Sequence, residues 1–170
     1  MNLNKKQVGA MLKIMSKDTT RPILNTGYIT EYKDNTVLVF TDGYVLAVLK
    51  LDAEVAKPLL GEMVRRNSFE KWYKLATGKS RLDTEELVNI ANDDYATNNG
   101  YQMGEYPNVF NILPTTEPEG QKVMSFNADY VKNVQDLFDS EGVTLELHGT
   151  LSPMVFKYDE HMAIVMPRKK

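Results

Sequence analysis

The sequence predicts an α+β fold assembled from repeated units of one strand, one helix and three strands, and three observations lead there. Val8, Met11 and Met15 fall four, seven and eleven residues after Asn4, and Val131, Val134 and Phe138 fall at the same distances after Asn127, so two helical stretches share one spacing. Each is followed by alternating apolar runs broken by turn residues, the pattern of short antiparallel strands. The middle of the chain carries a weaker copy of the same order.

In the first copy, Met1 to Leu3 is a short apolar leader and Asn4 a suitable N-cap, because its short side chain can accept from the free N–H groups of the first turn. Strands are expected over Gly27–Tyr32, Thr36–Phe40 and Tyr44–Leu51, with turns at Asp34-Asn35 and Asp42-Gly43. In the last copy Val123, Met124 and Phe126 lead into the helix opened by Asn127. Strands follow at Val143–His148, Met154–Tyr158 and Met162–Met166, with a turn at Asp159-Glu160. For the middle copy the expectation is a leading strand at Met63–Arg66, a cap at Asn67 or Ser68, and a helix from Phe69 to Ala76 ending near Gly78. A strand at Glu86–Ala91 and turns at Asp93-Asp94 and Asn98-Asn99-Gly100 would complete it. The units divide the chain as 1–55, 56–118 and 119–170, the first two forming one domain over 1–118. The polar, proline-containing stretch between Pro114 and Gly120 links them to the third. One such unit cannot bury both faces of its strands, so the copies are expected to pack as continuous sheets with the helices on one side.

Composition limits what these units can do. The 170 residues, 42% apolar and 25% charged, suit a soluble protein with a sizeable core. No apolar run approaches membrane-spanning length and no basic-then-apolar leader opens the sequence, so neither a membrane span nor secretion is expected. The absence of cysteine excludes disulfides and thiolate metal sites and suits a cytoplasmic protein. Nucleophile-elbow, zinc-protease, phosphate-loop and dinucleotide-loop motifs are all missing. His148 and His161 lack a second ligand at useful spacing and read as exposed strand residues. Glu85-Glu86 and Asp93-Asp94 read as solvated loop charges. Neither catalysis nor a cofactor or metal is expected.

Charge is unevenly spread. The net charge is -3, yet Lys5, Lys6, Lys13 and Lys17 run through the first helical region with no acid before Asp18. Arg65, Arg66, Lys71, Lys74 and Lys79 surround the second against the single Glu70. The third reverses this, with Lys132 outnumbered by Asp129, Asp136 and Asp139. Two of three helices would thus offer positive charge to one surface, which suits a loose, sequence-independent hold on phosphates.

Four segments in order extend this reading. They are Thr20-Arg21-Pro22-Ile23-Leu24-Asn25-Thr26-Gly27 followed by the Thr41-Asp42-Gly43-Tyr44-Val45-Leu46-Ala47-Val48 hairpin, Tyr106-Pro107 through Leu113-Pro114, Phe126-Asn127-Ala128-Asp129-Tyr130-Val131, and Ile164-Val165-Met166-Pro167-Arg168. Together they resemble segments of the bacterial DNA polymerase III beta subunit, the DNA sliding clamp. That resemblance implies a sliding-clamp fold with sheets outside and helices facing double-stranded DNA, and a non-catalytic processivity factor in DNA replication. It also implies a hydrophobic pocket for short peptides of a DNA polymerase or other replication proteins. Carried over residue by residue, the pocket comprises Arg21, Gly43, Tyr44, Leu46, Pro107, Ile112, Ile164, Met166 and Pro167. The DNA surface would use Lys5, Lys6, Lys13, Lys17, Lys71 and Lys74. The family hairpin usually carries His-Arg where this chain has Tyr44-Val45, which puts one polar contact to the peptide in doubt. The family has six units where this chain has three, so a closed ring would be a homo-oligomer of four or six copies. A compact clamp of this kind suits a phage or mobile element. The alternative is a clamp mimic that captures clamp-binding peptides and modulates host replication without encircling DNA.

Overall fold

In the computed structural model, which describes residues 1–98, 104–114, 124–140, 142–149 and 151–168, Asn4 closes a capping box. Its side-chain oxygen accepts from the Gln7 N–H at 3.0 Å while the Gln7 side chain accepts from the Asn4 N–H at 2.9 Å. The helix so started, α1 (Lys5–Ile14), buries Val8, Met11, Leu12 and Ile14 on one face. The residues before it form β1 (Asn2–Asn4), paired antiparallel with β6 (Arg81–Asp83).

Three strands follow: β2 (Thr26–Tyr32), β3 (Asn35–Thr41) and β4 (Val45–Lys50). The first connection turns on Lys33 and Asp34, both at positive φ, the backbone a two-residue hairpin demands. In the second, Gly43 stands at φ 95°, and Asp42 Oδ1 accepts from the N–H groups of Tyr44 and Val45, each at 2.8 Å. A short helix, α2 (Ala53–Ala56), leads to β5 (Met63–Arg65), which adds to the far edge of β2.

The last repeat gives α5 (Ala128–Phe138), capped by Asn127, then β7 (Thr144–Leu147), β8 (Met154–Tyr158) and β9 (His161–Val165). Its strands do not form a sheet of their own. β9 pairs antiparallel with β4 (Val45↔Val165, Leu46↔Ile164, Ala47↔Ala163), giving one seven-stranded sheet in the order β5-β2-β3-β4-β9-β8-β7. Side chains alternate across it. Leu38, Phe40, Val45, Ala47 and Val165 join the main core under the helices, and Val37, Val39, Leu46, Val48 and Ile164 form a second cluster on the opposite face. The helices line one face as expected, α1 packing on both α5 and α3 (Arg66–Leu75), and α3 on α4 (Thr84–Asn98).

The middle copy departs from expectation. Glu86–Ala91, expected as a strand, lies inside α4, as do Asp93, Asp94 and Asn98, expected in turns. Val88 and Ile90 favour strands locally, but Leu87, Ile90, Ala91 and Asp94 recur at helical spacing and all four are buried, so tertiary burial decides. Asp83 supports the helix start, its carboxylate accepting from the Glu86 N–H at 2.9 Å. α3 begins at Arg66, earlier than expected, and neither Asn67 nor Ser68 caps it. The cap comes from α4: the buried Asp94 carboxylate accepts from the Arg65 N–H at 3.2 Å and from the Ser68 hydroxyl at 2.6 Å. Asp94 is therefore a structural group and not a solvated charge. Asp94→Ala is expected to cost about 2 kcal/mol by orphaning those donors, read as a lower urea midpoint, with Asp94→Asn recovering part of the loss. The Thr115–Gly120 linker and Asn99-Gly100 lie outside the described residues.

Both histidines also differ from expectation. His148 is buried, with Nε2 3.6 Å from the Glu146 carboxylate, and His161 is half-buried, its Nδ1 accepting the Lys50 N–H at 3.1 Å. Burial is the main cause holding the His161 pKa below its ordinary 6.5. A depressed histidine pKa means the unfolded chain takes up the proton first. Stability is thus complete above pH 6.5 and falls as pH drops through that value toward the folded pKa. Urea midpoints at successive pH values from 8 to 5 should show this decline in the parent, and His161→Gln should flatten it.

Candidate functional site

The helical face presents lysines in two states. Lys6 is tied across to the last repeat, its Nζ 2.8 Å from Asp139 and 3.8 Å from Asp136, and the Asp139 hydrogen bond raises its pKa. Lys5 donates to the Ala76 carbonyl at 2.6 Å and stands 5.1 Å above the Tyr73 ring. Lys13, Lys17, Lys71 and Lys74 are exposed and form no ion pair among the described residues. Arg66 borders the groove on this face but its charge is engaged inside: it is buried, donates to the carbonyls of Leu12 and Met15 (the latter at 2.9 Å), and pairs with Glu70 at 2.8 Å. A guanidinium thus satisfies carbonyls that the end of α1 leaves unpaired. Between α1 and α3 runs a groove of about 790 Å³. Acids flank the cationic strip on either side, Asp129 and Asp136 on α5 and Glu85 and Asp93 on α4.

Where β4 begins and β9 ends, the hairpin and the 166–168 segment meet, as the Met166 N–H donates to the Tyr44 carbonyl at 2.9 Å. Tyr44 is 58% exposed and stacks on Tyr130 of α5, centroids 6.2 Å apart. Arg21 is exposed, paired with Asp18 at 3.0 Å, and its guanidinium lies beside Gly43. Hydrogen bonds from Thr20 foremost, and then from Arg21, hold the Asp18 carboxyl down at about 2. Met166 and Pro167 are half-buried, and Pro107 and Ile112 are exposed.

Leu46 and Ile164 do not line an open surface. They are opposite each other across the β4–β9 seam at 1% and 0% exposure, in a cluster against which Tyr106, Val109, Phe110 and Leu113 pack. Tyr106 stacks on Tyr28 at 4.8 Å and Phe110 on Tyr32 at 4.3 Å, so the 106–113 segment lies on the sheet as a strap. The alternation of β4 puts residue 46 on the strap side and residue 45 on the helix side. Val45 is accordingly buried against the main core, where an arginine would be an uncompensated charge. Sequence reasoning missed Tyr130, whose position three residues into a helix capped by Asn127 points it at the hairpin. It also missed the strap aromatics, whose signal was an aromatic at each end of Tyr106–Phe110 opposite tyrosines four apart on β2.

No protein-family model and no curated protein sequence matches this chain. Solved structures do. The DNA polymerase III subunit beta of Borrelia burgdorferi, in complex with a natural product, is 12% identical with a TM-score of 0.66, covering 100% of this chain and 62% of its own. The sliding clamp of Bartonella birtlesii, bound to griselimycin, is 13% identical with a TM-score of 0.65, covering 100% and 66%. The DNA polymerase III beta subunit of Thermotoga maritima is 12% identical with a TM-score of 0.62, covering 100% and 65%. This chain thus spans less than two thirds of the clamps it matches. At this identity the likeness is one of backbone architecture, and on that basis the chain has the fold of the DNA polymerase III beta sliding clamps.

Proposed function

We propose that the protein acts in DNA replication as a sliding-clamp-type processivity factor, a holding protein and not an enzyme. The observation that carries this reading is the layering: within a clamp fold, one face is helical and bears four lysines with no ion pair among the described residues, while Tyr44, Pro107 and Ile112 are exposed and the hairpin meets Met166. On this reading the helices face double-stranded DNA through Lys5, Lys6, Lys13, Lys17, Lys71 and Lys74. The sheet side receives short peptides of a DNA polymerase or other replication proteins. The pocket is Arg21, Gly43, Tyr44, Pro107, Ile112, Met166 and Pro167, with Leu46 and Ile164 as its buried support.

Units 1–55, 56–118 and 119–170 serve as the building blocks, and copies join through the two sheet edges, β5 and β7. Edge strands hold unpaired backbone groups that a second chain can satisfy. The setting is the cytoplasm, and no described helix is long and apolar enough to cross a membrane. The test is solution mass by light scattering, followed by retention on circular against linear DNA. A closed assembly held on circles and shed from ends supports the reading. A monomer at every concentration that still binds clamp-binding peptide replaces it with the non-encircling mimic. Neither DNA nor peptide binding would refute both.

A further inference from the structure

We infer that the groove between α1 and α3 is a seat for a single phosphodiester strand, with Lys13 and Lys74 holding its phosphates from opposite walls. The inference rests on the reading of the helical face as a nucleic-acid surface and adds what the groove admits. Charge comes first. Of the cations lining it, Arg66 is neutralised by Glu70, Lys6 is shared between Asp136 and Asp139, and Lys5 is held by the Ala76 carbonyl. Lys13 and Lys74 remain, both exposed and without an ion pair among the described residues, one on each helix.

Width decides which polyanion enters. Packed helices have axes about 8–10 Å apart, so the furrow between them is narrower than a duplex, whose major groove alone is about 12 Å across. One strand fits. Gly9 lets the Tyr73 ring settle into the furrow, since a Cβ there would stand 3.2 Å from it, so the floor between the lysines carries this half-buried ring. Sugar and base edges can lie on such a surface while phosphates meet the ammonium groups on the rims. An acidic peptide has the charge but no bases to lay against the Tyr73 ring.

The experiment is anisotropy with a labelled oligothymidylate and, separately, a labelled blunt duplex, over a salt series. Lys13→Gln with Lys74→Gln should weaken oligothymidylate binding about ten-fold and reduce the magnitude of its log–log salt slope by about 1.4, two phosphates at about 0.7 each. Lys17→Gln with Lys71→Gln, outside the groove, should leave oligothymidylate binding unchanged while weakening the duplex. Equal losses from both pairs, or displacement of oligothymidylate by polyglutamate at matched charge, would overturn the inference. Duplex binding without oligothymidylate binding refutes the groove alone, and absence of both refutes the DNA reading on which it rests.

Discussion

Leu46→Asp abolishes the cooperative fold before it can report on any ligand. Leu46 is 1% exposed, sits opposite Ile164 on the β4–β9 seam, and is packed beneath the strap. A carboxylate there has no cation to meet. The loss of apolar burial and the cost of the buried charge together reach about 5 kcal/mol or more, against the total of roughly 5–15 kcal/mol that holds a domain of this kind together. The expected observation is loss of the urea transition and of near-ultraviolet circular dichroism. A variant that remained fully folded would mean that the strap does not cover the seam. Tyr44→Ala is the complementary measurement: the ring is 58% exposed, so folding should persist, and on the proposed reading peptide affinity should fall as the stack with Tyr130 is lost.

Arg66→Ala carries the second large effect. The guanidinium is buried and donates to two carbonyls at the end of α1 while pairing with Glu70, so its removal orphans acceptors that no water can easily reach. We expect a loss of about 3–4 kcal/mol, visible as a lower urea midpoint. Arg66→Lys should recover only part of it, since one ammonium cannot copy a planar fork that reaches Leu12, Met15 and Glu70 together. A neutral outcome for Arg66→Ala would show that α1 and α3 are held by apolar contacts alone. Either way, on the proposed reading, DNA association should change little in the folded fraction, because the Arg66 charge is already engaged by Glu70 and two carbonyls.

Much of the architecture was written in local chemistry. Asn4 and Asn127 announce helices because an amide one step before an amphipathic run has a definite partner in the first turn, and both caps form. The hairpin at Asp42-Gly43 follows from a glycine that tolerates positive φ, whereas the first turn, expected at Asp34-Asn35, falls one residue earlier on Lys33-Asp34. What sequence could not show was anything decided by partners far along the chain. The segment 86–91 satisfies strand propensity and helical spacing equally, and only the place of Leu87 and Ile90 in the core separates them. Asp94 resembles any surface acid until α3 arrives above it. Leu46 and Ile164 enter the expected pocket only because the resemblance carries the whole set over together, and the strap that packs on their cluster has no periodicity of its own. The basic helices, by contrast, were legible as charge but not as geometry: nothing in the spacing of Lys6 foretells Asp139.

The seam between β4 and β9 also governs when this protein can exist. Its partners, Val45 with Val165 and Leu46 with Ile164, are far apart in sequence, and β9 follows every other strand described, so this pairing can form only after the rest of the described sheet has been synthesised. Until β9 has emerged, β4 is a strand apolar from Val45 to Leu49 with a bare edge, a template for any other nascent copy. High contact order of this kind slows refolding. A chain that must close its sheet from both ends therefore depends on speed of closure, or on a chaperone, to stay clear of aggregation.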